Sequence, residues 1–215
     1  MALIQAANRE DVLRGNGFTF YEQQFHELNG TPEGFTESVS GGGTVTYTTR
    51  GVQLEPGSTV GDTAVLNIGR LSRFNNHGLT RLYLIYETLI NGSDVTASDK
   101  FRMGGCSAIG IGDNDSVACL SFHEGQLVAG NDSSTVTRDV LTEMNNNERA
   151  ARYMPVIIDY DYNNNEVVFR HLGWGKTYTL DVAPPERIWE PIVQTESDGV
   201  GDFVRLSYFG IQVIE

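Results

Sequence analysis

The sequence predicts an all-β protein, a two-sheet antiparallel β-sandwich preceded by a short N-terminal arm, and three observations carry the prediction. From about residue 34 the chain breaks into short alternating or β-branched runs separated by Gly, Asn, Asp and Ser. About a dozen such runs follow at regular spacing, as the strands of a sandwich do. Helical periodicity is confined to residues 2–14, where Leu3, Ile4, Ala7 and Leu13 make an incomplete apolar stripe too weak to stand alone. The expected division is an arm over residues 1–33 and a sandwich over 34–215.

Phe18, Phe20, Tyr21 and Phe25 form an aromatic cluster that either anchors the arm or begins the first strand. Residues 34–40 lead into the triple glycine Gly41, Gly42 and Gly43, and residues 44–49 and 51–55 then alternate in the strand manner before Pro56-Gly57 makes a turn. Residues 64–68 are the next strand. The near-continuous apolar run over 81–86 fits a strand in the middle of a sheet. Residues 101–111, 117–122, 126–129, 135–141, 153–162, 166–171, 177–182 and 203–213 complete the set.

A length of 215 residues suits one β-rich domain with an appendage. No apolar run approaches the roughly 20 residues of a membrane helix, so no membrane insertion is expected. Asn8, Arg9, Glu10 and Asp11 stand where a signal peptide would need its apolar core, so no cleaved secretion signal is expected either. The 28 acidic residues outnumber 15 basic ones, and a net charge of −13 argues against a phosphate-tracking nucleic-acid surface. Lys100 and Lys176 are the only lysines, beside 13 arginines.

The succession of strands resembles the concanavalin A-like lectin and glucanase fold, a jelly roll found in lectins, glycosidases and many viral spike or fibre proteins. The resemblance covers residues 34–215 and rests on four stretches: 34–39 with 51–54, the hairpins of 101–111 with 117–122 and 125–128, the pair 153–161 and 167–170 joined at Asn163, Asn164 and Asn165, and the closing run 203–213. Glucan-cutting members of that family carry Glu-x-Asp-x-x-Glu on one strand, because nucleophile and acid must share a cleft. No such string occurs here. Asp159 and Asp161 do share a strand face by the period of two, but neither is Glu, and a solvated strand face is the expected explanation. His26, His77, His123 and His171 are scattered, with no Gly-x-Ser-x-Gly elbow beside them.

Asp159, Asp161 and Asn163, and separately Asp113 and Asp115, alternate oxygen side chains that could wrap calcium, the only cofactor under consideration. Both stretches also read as turns, where Asn and Asp are favoured for backbone reasons alone. Cys106 and Cys119 flank a turn and could meet on adjacent strands as a disulfide, or remain two buried thiols. For sugar, a lectin-like sandwich implies loop amides and a ring under the apolar sugar face. Trp174 and Trp189, with Asn75, Asn76 and His77, are the candidates, and core-capping is the competing role of both indoles. Asn29, Asn91, Asn114 and Asn131 begin glycosylation sequons.

The arm, the missing catalytic string and the acidic, lysine-poor composition together resemble a non-enzymatic virion structural protein: a capsid decoration, turret or tail-associated spike. Such a protein is made in the host cytoplasm, assembles with its own copies and other virion proteins, and contacts host surface glycans. A free carbohydrate-binding module is the alternative, and a glycosidase a more distant one. The composition resembles that of salt-loving archaea and their viruses, although a GC-rich genome also favours Arg over Lys. The halophile reading predicts a melting temperature that rises from dilute buffer to molar salt, and a flat response in calorimetry removes it.

Overall fold

The computed structural model describes residues 18–67, 80–90, 100–106, 120–123, 126–131, 134–139, 154–172, 175–184, 190–199 and 203–214. Among the described residues fifteen strands run in chain order: β1 (Phe18–Gln24), β2 (Thr36–Ser40), β3 (Thr44–Thr48), β4 (Gly51–Glu55), β5 (Thr63–Asn67), β6 (Arg81–Ile90), β7 (Lys100–Cys106), β8 (Leu120–His123), β9 (Gln126–Asn131), β10 (Ser134–Asp139), β11 (Met154–Asp161), β12 (Glu166–His171), β13 (Lys176–Leu180), β14 (Glu190–Glu196) and β15 (Val204–Ile214). An eight-stranded sheet has the order β13-β12-β11-β6-β15-β4-β3, with β1 also on β15. A seven-stranded sheet has the order β10-β9-β8-β7-β14-β5-β2. The described pairs are antiparallel, so the expected two-sheet sandwich is the fold observed.

The core lies between the sheets and follows from alternation. Leu82, Leu84 and Tyr86 of β6, Val156, Ile158 and Tyr160 of β11, and Val167 and Phe169 of β12 point inward against Ala64 and Leu66 of β5, Met103 of β7 and Val193 of β14. The intervening residues of β6 and β11 are thereby sent to the outer face. On β15 the inward set changes phase, from Val204 and Leu206 to Phe209, Ile211 and Val213. The register slips between Leu206 and Tyr208, which absorbs Ser207 as a bulge. Ser207 is held on both sides: its hydroxyl donates to the Glu87 carbonyl at 3.2 Å, and its carbonyl accepts from the Phe25 N–H at 2.9 Å.

The sandwich begins before residue 34. β1 pairs with β15 from Phe18 opposite Val213 to Gln24 opposite Tyr208. The aromatic cluster therefore contributes a strand and an anchor together. The Phe25 and Phe35 rings meet edge to face at 5.3 Å, and Tyr21 lies 6.2 Å from Phe35 and 6.4 Å from Phe209.

The sequence reading has no strand at β14. That segment carries Pro191, and proline removes a ladder donor. β14 nonetheless sits between β7 and β5. Pro191 lies opposite Gly105 of β7, and the described ladder with β5 runs from Ile192 opposite Asn67 to Glu196 opposite Thr63. Cys106 ends β7, and the described β7–β8 ladder runs only to Met103 opposite Leu120. Cys119, the other half of the expected disulfide, lies outside the described residues.

Candidate functional site

Asp159 and Asp161 occupy the outer face of β11 because Ile158 and Tyr160 occupy the inner one. The expected solvated face is not what they meet. Both carboxylates are fully buried, with side-chain exposure of 0%. The cause is the pairing register. Asp161 lies opposite Arg81 of β6, and Asp159 lies opposite Tyr83 of β6 and Val168 of β12. Arg81 donates to Asp161 Oδ2 and to the Tyr83 hydroxyl at 3.3 Å, and its guanidinium stands 3.7 Å from Asp159 Oδ2. Arg170, two pairs along β12 and opposite Ile157, donates to Asp159 Oδ2 at 3.2 Å.

Asp161 also closes the β11–β12 turn. Its Oδ1 accepts the N–H groups of Asn163 and Asn164 at 3.1 and 3.0 Å, and its Oδ2 accepts the Asn164 amide at 2.9 Å. Asn165 then takes a left-handed backbone with φ of 54°. Asn163 therefore supplies a main-chain donor to the acid, and its side chain is exposed to solvent.

The two acids titrate in opposite directions. Burial pushes Asp159 above the ordinary carboxylate value, against the opposing pull of Arg81 and Arg170, and Asp161 adds to the rise. Burial also acts upward on Asp161, but the Asn164 donors and Arg81 outweigh it and hold that acid below its usual value. Arg81 is held above its own ordinary value, first by the Tyr83 hydrogen bond and then, against burial, by the two acids and the Tyr83 oxygen. A hydrolytic pair needs two carboxylates open to one substrate. These two lie beneath guanidinium groups whose side chains are 35% and 38% exposed.

Beyond the charges the outer face turns aromatic and apolar, with Tyr83, Ile85, Ile157 and Tyr208 packed together and Leu172 and Ile214 against them. Gly210 makes this possible: a Cβ there would meet the Tyr208 hydroxyl at 2.6 Å, so the ring has room only above a glycine. The Tyr208 hydroxyl reaches Glu22 of β1 at 3.4 Å. Gln212 lies opposite Tyr83, and both its amide atoms are buried without a hydrogen-bond partner, as is Asp159 Oδ1. Tyr83, Tyr208 and Gln212 are buried like the two acids, so this part of the face is packed rather than open to a ligand.

Of the residues the sequence singles out, the structure brings together Asp159, Asp161 and Asn163. Trp174, Trp189, Asn75, Asn76, His77, Asp113 and Asp115 lie outside the described residues. Among the described residues no group of three or more His, Cys, Asp or Glu side chains is placed to hold a metal. The sequence reading missed Arg81, Arg170 and Gln212. The one available signal was an arginine heading the apolar run at 81–86, and it gains meaning only once that strand is paired with β11.

No family model matches the chain, and no curated protein matches it. Solved structures do. Arcelin-5, a lectin-like defense protein from Phaseolus vulgaris, superposes with a TM-score of 0.59 at 10% identity, over 93% of this chain and 99% of its own. The Emp47p carbohydrate recognition domain gives 0.58 at 7% identity, over 94% and 99%. A carbohydrate esterase from the Shiga toxin-encoding bacteriophage phi24B gives 0.54 at 12% identity, over 93% and 100%. The chain thus has the concanavalin A-like lectin fold, and at these identities the likeness extends to the fold alone.

The titration of Asp161 predicts a pH-dependent mutant. A carboxylate held below its unfolded value stabilises the native state above that value and loses the contribution as pH falls through its folded value. Asp161→Asn is expected to lose about 1–3 kcal/mol in urea unfolding near neutral pH. Its deficit relative to wild type narrows once the pH drops below about 4, where the unfolded carboxylate takes up its proton.

Proposed function

We propose that this chain is a non-catalytic, lectin-like binding protein, displayed on a viral particle as a decoration, turret or tail-associated spike, where it contacts host surface glycans. The observation that carries the non-catalytic part is the closed charge cluster: Asp159 and Asp161 are buried under Arg81 and Arg170, so the one carboxylate pair the sequence offered for glycoside hydrolysis is committed to ion pairs. Binding draws its support from the lectin fold, which this chain shares with a lectin-like defense protein and a carbohydrate recognition domain. The particle setting draws its support from the acidic, lysine-poor composition, and from a bacteriophage protein among the structures of the same fold. Trp174 and Trp189 remain the proposed loop contacts, and copies of the chain its proposed first partners.

The test is a glycan array with host-envelope polysaccharides, read for retention and for released reducing ends or acetate. Retention is expected without release, and Trp174→Ala or Trp189→Ala is expected to weaken it by about tenfold or more. Release of sugar or acetate that Asp159→Asn abolishes contradicts the non-catalytic reading. Immunogold labelling of purified particles checks the setting, and particles that stay unlabelled contradict it.

A further inference from the structure

Asp159-x-Asp161-x-Asn163 reads as a hard-cation loop in sequence, and the folded residues do not fit that ion. Calcium takes roughly six to eight oxygen ligands. Both oxygens of Asp161 are already engaged, Oδ1 by two main-chain N–H groups and Oδ2 by the Asn164 amide and Arg81. Asp159 Oδ2 accepts from Arg170, which leaves Oδ1 as the only carboxylate oxygen of the pair without a partner. Asn163 turns an N–H toward the acid rather than a side-chain oxygen.

We propose that Arg81, supported by Arg170, is a built-in cation that supplies the counter-charge a divalent metal would otherwise supply, so that this face of the lectin fold is metal-independent. The charges match: two guanidinium groups face two carboxylates. A guanidinium suits the task because it is planar, permanently charged and weakly hydrated, and so gives up less on leaving water than an ammonium does. Its position is set by the backbone, since Arg81 stands opposite Asp161 in the β6–β11 ladder. An entering divalent ion would have to expel a cation covalently tied to the neighbouring strand. Without Arg81, the acids carry an uncompensated charge and Asp161 Oδ2 keeps only the neutral Asn164 amide, the condition under which a hard cation becomes favourable.

The inference is independent of the glycan reading, because its readouts are stability and metal binding. Thermal melts are compared in EDTA and in millimolar calcium chloride at matched ionic strength, for wild type, Arg81→Gln and Arg81→Lys. Wild type and Arg81→Lys are expected to melt at the same temperature in both buffers. Arg81→Gln is expected to melt roughly 5–10 °C lower in EDTA and to recover about half of that loss in calcium. Two results overturn the proposal: a calcium-induced rise in wild type that persists after Asp113→Asn and Asp115→Asn, or no calcium response in Arg81→Gln. If Arg81→Gln fails to fold, Arg170→Gln decides by calorimetric titration with calcium chloride. Binding heat in that variant and none in wild type supports the built-in cation, and equal behaviour of the two proteins overturns it.

Discussion

Asp159 and Asp161 sit two residues apart on one strand face with no solvent contact, and ionised carboxylates persist in such a place only with counter-charge at contact distance. That requirement reaches well beyond the two side chains. Arg81 comes from β6 and Arg170 from β12, so the acids are satisfied only while β11 keeps its register with both neighbours. A slip of one residue would bring Leu82 opposite Asp161 and send the inward set Val156, Ile158 and Tyr160 to the outer face. The cluster thus works with the hydrophobic core rather than beside it, since both fail in the same misaligned states. Such a cluster specifies one arrangement more than it adds to stability.

The same logic runs through β15, which carries the longest ladder with β6 and gives its other edge first to β4 and then to β1. Its bulge at Ser207 lets two stretches of opposite phase both face the core. The bulge also fixes what the outer face displays, because Tyr208, Gly210 and Gln212 take their orientation from the shifted phase. The aromatic and amide part of that face is therefore set by a backbone irregularity, and its charged part by strand register. Together they account for an outer face on which acids, rings and amide are all buried.

Alternation made most strands legible, since period-two patterning is written locally in residues such as Val156, Ile158 and Tyr160. Three features escaped it. β14 carries Pro191, a residue that removes a ladder donor, and its place between β7 and β5 is set by sheet topology rather than by local pattern. The phase change at Ser207 is marked only by Arg205 and Gln212 falling on opposite parities of the run, which gains meaning once β6 is paired with it. The fate of the acid pair was hidden for a different reason: Asp161 and its partner Arg81 are 80 residues apart, and only sheet topology brings them together. Asp-x-Asp thus reads equally well as solvated face, calcium loop or ion-pair cluster until the neighbouring strand is known. Trp174, Trp189 and the stretch Asn75 to His77 are candidates by residue type alone, and they lie outside the described residues.

The claim that the acid pair is closed by partners of its own chain is tested most directly by a double-mutant cycle between positions 81 and 161, measured by urea unfolding near neutral pH. Arg81→Met and Asp161→Asn, singly and together, are predicted to show a coupling of about 1–3 kcal/mol, because either change alone strands the other charge. Additivity within about 0.3 kcal/mol would mean that the two side chains do not depend on each other, and would contradict the account.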